Sequence, residues 1–310
     1  MDFGLKKTTT VRLVAAVAIL LWCFGCANDR GTPSVVTETQ EVRDELGRTI
    51  RVPKNIERAV SLAPNITEMI FALDAGDRLV GVTTYCNYPP ETALIEKVGD
   101  TQTPNIEKII ALEPQIVFVS TASQLEAFSR TLEEQGIAVY VTKSTSLTDV
   151  FTNLRSLGNL FGKPQTATNL MNKLWSRIAD VTFRRGSMKD PLPNVFVQIS
   201  NEPLFTIGSD SFLTEVVEKA GGVSATKDVP TAYPKLSKER AAALDPDVII
   251  LSDSEDNREP NPAFKNSKAV RNGRVYRINA DILSRPGPRL VDALEEISSK
   301  LNEKKLGASQ

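Results

Sequence analysis

A ten-residue unit occurs twice. Ala111–Ser120 reads ALEPQIVFVS and Ala243–Ser252 reads ALDPDVIILS, the second copy starting 132 residues after the first. Each runs from a helix end through an acidic residue and a proline into an unbroken apolar stretch. Continuous apolar runs suit strands that are buried on both faces of a parallel sheet. The residue ahead of a proline is pushed away from helical geometry, which stops the preceding helix there. The repeat therefore predicts two matched α/β lobes; a single α/β domain with a coincidental match is the alternative. Between the copies, in Pro164–Phe183, the residues Leu170, Met171, Leu174, Trp175, Ile178 and Val181 recur at steps of three and four. They share one helix face. Pro164 falls where a first-turn proline is tolerated, and Gly186, Pro191 and Pro193 end the run. A helix of 20 residues spans about 30 Å, the width of a small domain. Its apolar stripe, Trp175 included, reads as packing rather than as a binding box.

The whole chain narrows the chemistry. Its 310 residues hold one large domain or two ordinary ones. A net charge of −1, with no Lys/Arg block, excludes a broadly basic nucleic-acid binder. There is no histidine, so a Ser-His-Asp or Cys-His catalytic unit and a His-liganded metal are both excluded. The three cysteines, Cys23, Cys26 and Cys86, give neither a disulfide framework nor a zinc spacing.

Lys6, Lys7 and Arg12 precede the apolar run Leu13–Phe24, the layout of a secretory signal. The run ends in Gly25-Cys26, which resembles a bacterial lipoprotein signal with Cys26 as the acylated residue; a plain membrane anchor is the alternative. Either reading puts the product outside the cytoplasm and tethered to a membrane. The expected organisation is a signal at 1–25, a flexible Thr/Ser-rich tether at 26–41, a first lobe at 42–160, the connecting helix at 161–188 and a second lobe at 189–310. Val42–Val52 reads as a hairpin about Leu46-Gly47. After the strand ending at Pro64, Asn65 reads as the cap of a helix, with Glu68 completing a capping box. A second strand, Val80–Thr83, leads into the loop Thr84–Pro90, at the strand end where open α/β sheets bind ligands.

These segments carry a resemblance. SLAPNITE, GVTTYCNYPPE and ALEPQIVFVS, followed by PLFTIGSDSFLTEVVEKAGG, YPKLSKE, ALDPDVII and DILSRPGPR, occur in the order found in substrate-binding proteins of ABC importers for vitamin B12, siderophores and haem. The match runs over residues 42–302. It is similar above all to the vitamin B12 binders, and it implies two α/β lobes with mostly parallel sheets joined by one long rigid helix, a cleft between them and no enzymatic reaction. The implied ligand is cobalamin or a related corrinoid, as cargo rather than cofactor, with a ferric siderophore or haem as alternatives. The implied partner is an ABC permease dimer, and the expected state is a monomer.

The resemblance also carries residues over. Tyr85 matches a cleft tyrosine, a flat ring with a polar tip suited to a large amphipathic ligand; Tyr88 reads as packing under Pro89-Pro90. Phe205 and Tyr233 match aromatic cleft positions of the second lobe, with plain packing as the alternative for each. Asp281 and Arg285 match polar positions at the cleft mouth, and Arg289 reads equally as a structural ion pair. Glu68, on the lobe's outer face, and Glu218 match permease-docking carboxylates, with Glu215 competing for the second role. The B12 binders carry tryptophans near Thr101, Ser120 and Tyr233, of which the last alone remains aromatic here. A siderophore would want the arginines and Lys235 brought together. Cys86 reads as a small core group. A secreted hydrolase with paired carboxylates and a ligand-free scaffold lipoprotein are the rival classes.

Overall fold

The computed structural model describes residues 38–121, 126–186 and 191–303. The signal, Cys26 and the tether up to residue 37 lie outside the described residues. Strand β1 (Thr39–Arg43) pairs antiparallel with β2 (Thr49–Pro53). Residues 39–41, expected as tether, thus belong to a hairpin whose turn Gly47 takes at φ 79°, a conformation glycine adopts freely.

The first large sheet is parallel throughout, in the order β5 (Glu96–Lys97), β4 (Leu79–Val82), β3 (Ala59–Ser61), β6 (Ile116–Ser120), β7 (Ala138–Thr142). Its crossovers include α1 (Pro64–Ala72), α2 (Ile106–Ala111) and α3 (Glu126–Glu134). Helix α4 (Leu147–Leu160) follows β7, and α5 (Pro164–Gly186) is the long helix of the periodicity argument. The second sheet, also parallel, runs β11 (Val275–Asn279), β10 (Val248–Asp253), β8 (Asn194–Gln198), β9 (Val223–Ser224). It is accompanied by α6 (Phe212–Ala220), α7 (Lys238–Ala243), α8 (Lys268–Arg271), α9 (Ala280–Ser284) and α10 (Leu290–Asn302).

The repeated unit is structurally a repeat. Its apolar runs are β6 and β10, each flanking the first strand of its sheet, β3 and β8. The acid before each proline leaves the helical region in the same way, Glu113 at φ 46° and Asp245 at φ 37°. A proline forbids its predecessor the helical conformation, and the short left-handed step turns the chain from helix into strand.

Side-chain alternation sorts the sheets into faces. Val117 and Val119 point with Val60 into an outer core against Ile109, Phe128 and Leu132 of α2 and α3. Ile116 and Phe118 point the other way. In the second lobe Phe196, Ile249 and Leu251 fill an outer core with Phe264 and Ala241. The opposite faces of both sheets open onto one continuous core, which takes in α1, α4, α6 and α10 and the buried stripe Ala167, Leu174, Ile178 and Val181 of α5. The lobes therefore share apolar packing along the connecting helix. Trp175 departs from expectation: it is 45% exposed and stacks on Phe151 at 4.3 Å. It follows Leu174 by about 100° around the helix, which turns it off the buried stripe.

Candidate ligand-binding cleft

A cavity of about 410 Å³ lies between the lobes. On the first lobe its wall is built at the carboxyl ends of strands: Ala63 to Asn65 beyond β3, Ser120 and Thr121 at the end of β6, Ser144 and Thr145 beyond β7. That is where parallel α/β sheets leave strand ends and helix starts free to receive ligands. The second lobe supplies Asp210–Phe212 ahead of α6, Ala232-Tyr233, and Ser284–Pro286. An open groove of about 770 Å³ adjoins it, sharing Thr145, Asp210, Ser211 and Phe212 and running on to Glu218 and Lys227.

The lining is rich in hydroxyls, with the Tyr233 and Phe212 rings as its aromatic surface. Thr101 and Ser120 both belong to it. Tyr233 keeps 42% of its surface open, while desolvation among its neighbours pushes the phenol above its ordinary value. It stays protonated at neutral pH, a ring with a hydrogen-bonding tip. Of the described lining residues only Asp210 and Arg285 carry charge.

Arg285 is already engaged. Its Nη1 donates to Glu68 Oε1 at 3.1 Å and to Asn87 Oδ1 at 2.7 Å; its Nη2 donates to the Tyr85 carbonyl at 3.2 Å and to Asp281 Oδ1 at 2.6 Å. Asn87 Nδ2 in turn donates to Asp281 Oδ2 at 2.8 Å. Arg289 meets Glu68 with two prongs and lies over the Tyr88 ring, 3.9 Å from its centroid. The hydrogen bond to Glu68 raises the Arg289 pKa further.

The two readings of Glu68 need correction against this geometry. Glu68 is 3% exposed, paired across the lobes, and not on an outer face. It closes no capping box either: the N-cap of α1 is Ala63, which has no side chain to cap with, because Pro64 takes the first helical position and places Asn65 inside the helix. Tyr85 is 57% exposed and outside the cavity lining; its carbonyl, not its ring, is held by Arg285. Phe205 is half-buried, also outside the lining, its backbone bridged to Ser200 and Lys235. Phe212, the first residue of α6, is an aromatic residue of the lining that the sequence did not single out. Asp281 reaches the cleft only through Arg285.

Tyr233 and Arg285 line the cavity. Glu218 is exposed on α6, whereas Glu215 Oε2 accepts the Leu147 N–H at 3.1 Å and so joins α6 to the start of α4. Cys86 is buried against the hydroxyls of Thr67 and Thr83, 3.2 Å from each. Among the described residues no group of three or more Cys, Asp or Glu residues is placed to hold a metal ion, and no helix is long and apolar enough to cross a membrane.

Comparison with known proteins gives a consistent result. The family described as "Periplasmic binding protein" matches residues 60–282. An uncharacterized ABC transporter substrate-binding lipoprotein of Bacillus subtilis is 30% identical over 302 residues, 93% of this chain and 94% of that one. The crystal structure of a periplasmic vitamin B12 binding protein of Vibrio cholerae superposes with a TM-score of 0.69 at 30% identity, covering 80% of this chain and 98% of that one. A periplasmic haem-binding protein from Roseiflexus superposes with a TM-score of 0.71 at 25% identity, over 80% and 98%.

Proposed function

Since the chain belongs to the periplasmic binding protein family, the substrate-binding proteins of ABC importers rather than enzymes, we propose that it captures a corrinoid, cobalamin first, outside the cytoplasm and hands it to a permease dimer. The Cys26 lipid anchor and a docking role for Glu218 form part of the same proposal.

One observation carries the ligand assignment: the cleft is walled by hydroxyls and two aromatic rings, and its single arginine is already neutralised. Such a wall suits a large ligand with apolar ring edges and many uncharged amide groups, which hydroxyls can both donate to and accept from. It offers little to the carboxylates of haem or to an anionic ferric siderophore, either of which would call for free cationic groups. Arg285 and Arg289 are brought together, as a siderophore site would require, but around Glu68. The adjoining groove gives a bulky ligand room beyond the 410 Å³ cavity.

Thermal melting with added cyanocobalamin tests the reading. Ligand at 100 times its dissociation constant stabilises the fold by about 2.7 kcal/mol, a clear rise in melting temperature. Saturable one-to-one binding supports the proposal. A rise with haemin or a ferric hydroxamate and none with cyanocobalamin keeps the receptor and replaces its cargo.

A further inference from the structure

The bridge around Glu68 does more than pair charges. We propose that Glu68 is a positioning residue of the cleft: by holding Arg285 and Arg289 it latches the two lobes at one end of the cavity and sets how fast a ligand enters and leaves. The ligand-exchange part rests on the corrinoid reading; the latch itself does not.

Glu68 lies on α1 of the first lobe, and both arginines come from the second. Among the described residues the chain passes from one lobe to the other through α5, so this bridge is a separate, non-covalent tie. Three of the four Arg285 contacts are to the first lobe: Glu68, Asn87 and the Tyr85 carbonyl. The fourth, Asp281, is itself bonded to Asn87. With Arg289 against Tyr88, the loop is gripped from the second lobe at three residues, Tyr85, Asn87 and Tyr88. Arg285 also lines the cavity, so the tie and the ligand wall meet in one side chain.

Two carboxylates face two guanidiniums, which leaves the group balanced. The side chains of Glu68, Arg285 and Arg289 are 2%, 12% and 18% exposed, so salt screens them far less than surface pairs. Moving the lobes apart at this end breaks the charge-assisted bonds to Glu68 together. Every bond of the latch is between protein groups, so it can hold the lobes with or without cargo, and opening it precedes entry as well as exit. Weakening it therefore accelerates both steps and leaves the equilibrium nearly unchanged, whereas loss of a ligand contact raises the exit rate and weakens affinity in step.

The test uses the full chain and Glu68→Gln, with Arg289→Gln as a second variant in case the first does not fold. Hydrogen exchange of the ligand-free proteins is read at residues 84–90 and 280–289, and cyanocobalamin association and dissociation are followed by stopped flow. Expected are faster exchange in both segments, and association and dissociation each faster by about tenfold, equivalent to about 1.4 kcal/mol on each barrier, with affinity within about threefold. Arg177→Gln, which removes an ion pair away from the cavity lining, lowers stability without changing either rate. Unchanged exchange in the variants overturns the latch. Faster dissociation alone, with affinity lost in proportion, also overturns it in favour of a ligand-contact role. Failure of the unaltered chain to bind cyanocobalamin sinks the corrinoid reading by itself, and the exchange data then decide the latch.

Discussion

Glu68 and Arg289, 221 residues apart in the chain, face each other as a two-pronged pair, Nε to Oε2 at 2.9 Å and Nη2 to Oε1 at 2.5 Å. Arg285 shares the same carboxylate. Removing one partner of a buried pair leaves a charge without compensation and costs about 3–5 kcal/mol. Glu68→Ala strands Arg289 and takes from Arg285 one of its two carboxylates, while Arg289→Ala leaves Glu68 with Arg285. Urea unfolding at neutral pH should therefore show the larger loss for Glu68→Ala.

The position of Tyr233 in the cavity wall, and of Tyr85 outside it, sets an order of effects on cobalamin binding. Stripping a ring that a ligand covers removes about 1.5–3 kcal/mol, so Tyr233→Ala should weaken binding by roughly ten- to a hundredfold. Tyr85→Ala should change affinity by less than about threefold on the same scale. Isothermal titration of the two variants side by side checks the order, and a larger effect at Tyr85 refutes it.

Gly208 is fixed by a close approach. A Cβ there would stand 2.0 Å from the Thr231 carbonyl oxygen and 2.5 Å from that of Val229, while its own N–H bonds the Ala232 carbonyl at 3.0 Å. Backbone atoms cannot rotate away. Gly208→Ala should cost about 1–3 kcal/mol, as overpacking does, and should push aside the segment that presents Tyr233. Melting temperature and cobalamin affinity should fall together.

Arg177 ties α5 to α10, its Nε and Nη2 bonding Glu295 at 2.9 and 2.6 Å and its Nη2 bonding Asp292 at 2.6 Å. The hydrogen bond from Arg177 holds the Glu295 pKa below its ordinary value. A depressed carboxylate contributes stability above its unfolded pKa, about 4.3 for glutamate, and loses it as pH falls through the folded value. Arg177→Gln should flatten the acid-side fall in unfolding free energy within that window. A carboxyl NMR titration should show Glu295 moving back up.

What could be read in advance follows from the range of the forces involved. The acid-proline step is local, so the ends of α2 and α7 and the starts of β6 and β10 were legible in both copies of the repeat. The latch was not. Its partners lie 217 and 221 residues apart, and Asn65-x-x-Glu68 spells a capping box equally well until Pro64 claims the first turn. Tyr85 and Tyr233 both sit on loops; which ring faces the cavity depends on how one lobe is set against the other, and no single-segment pattern encodes that.

The length of the Glu68 bridge along the chain has a consequence in time. The first sheet is complete at Thr142, yet the counter-charges for Glu68 come at residues 285 and 289. A chain appearing from its amino end at about 5–20 residues per second carries that carboxylate unanswered for roughly 10–45 s at the same rate. Any chain broken off before Arg285 never answers it. The last arginines thus act as a proof of length, their arrival separating a finished molecule from every shorter one.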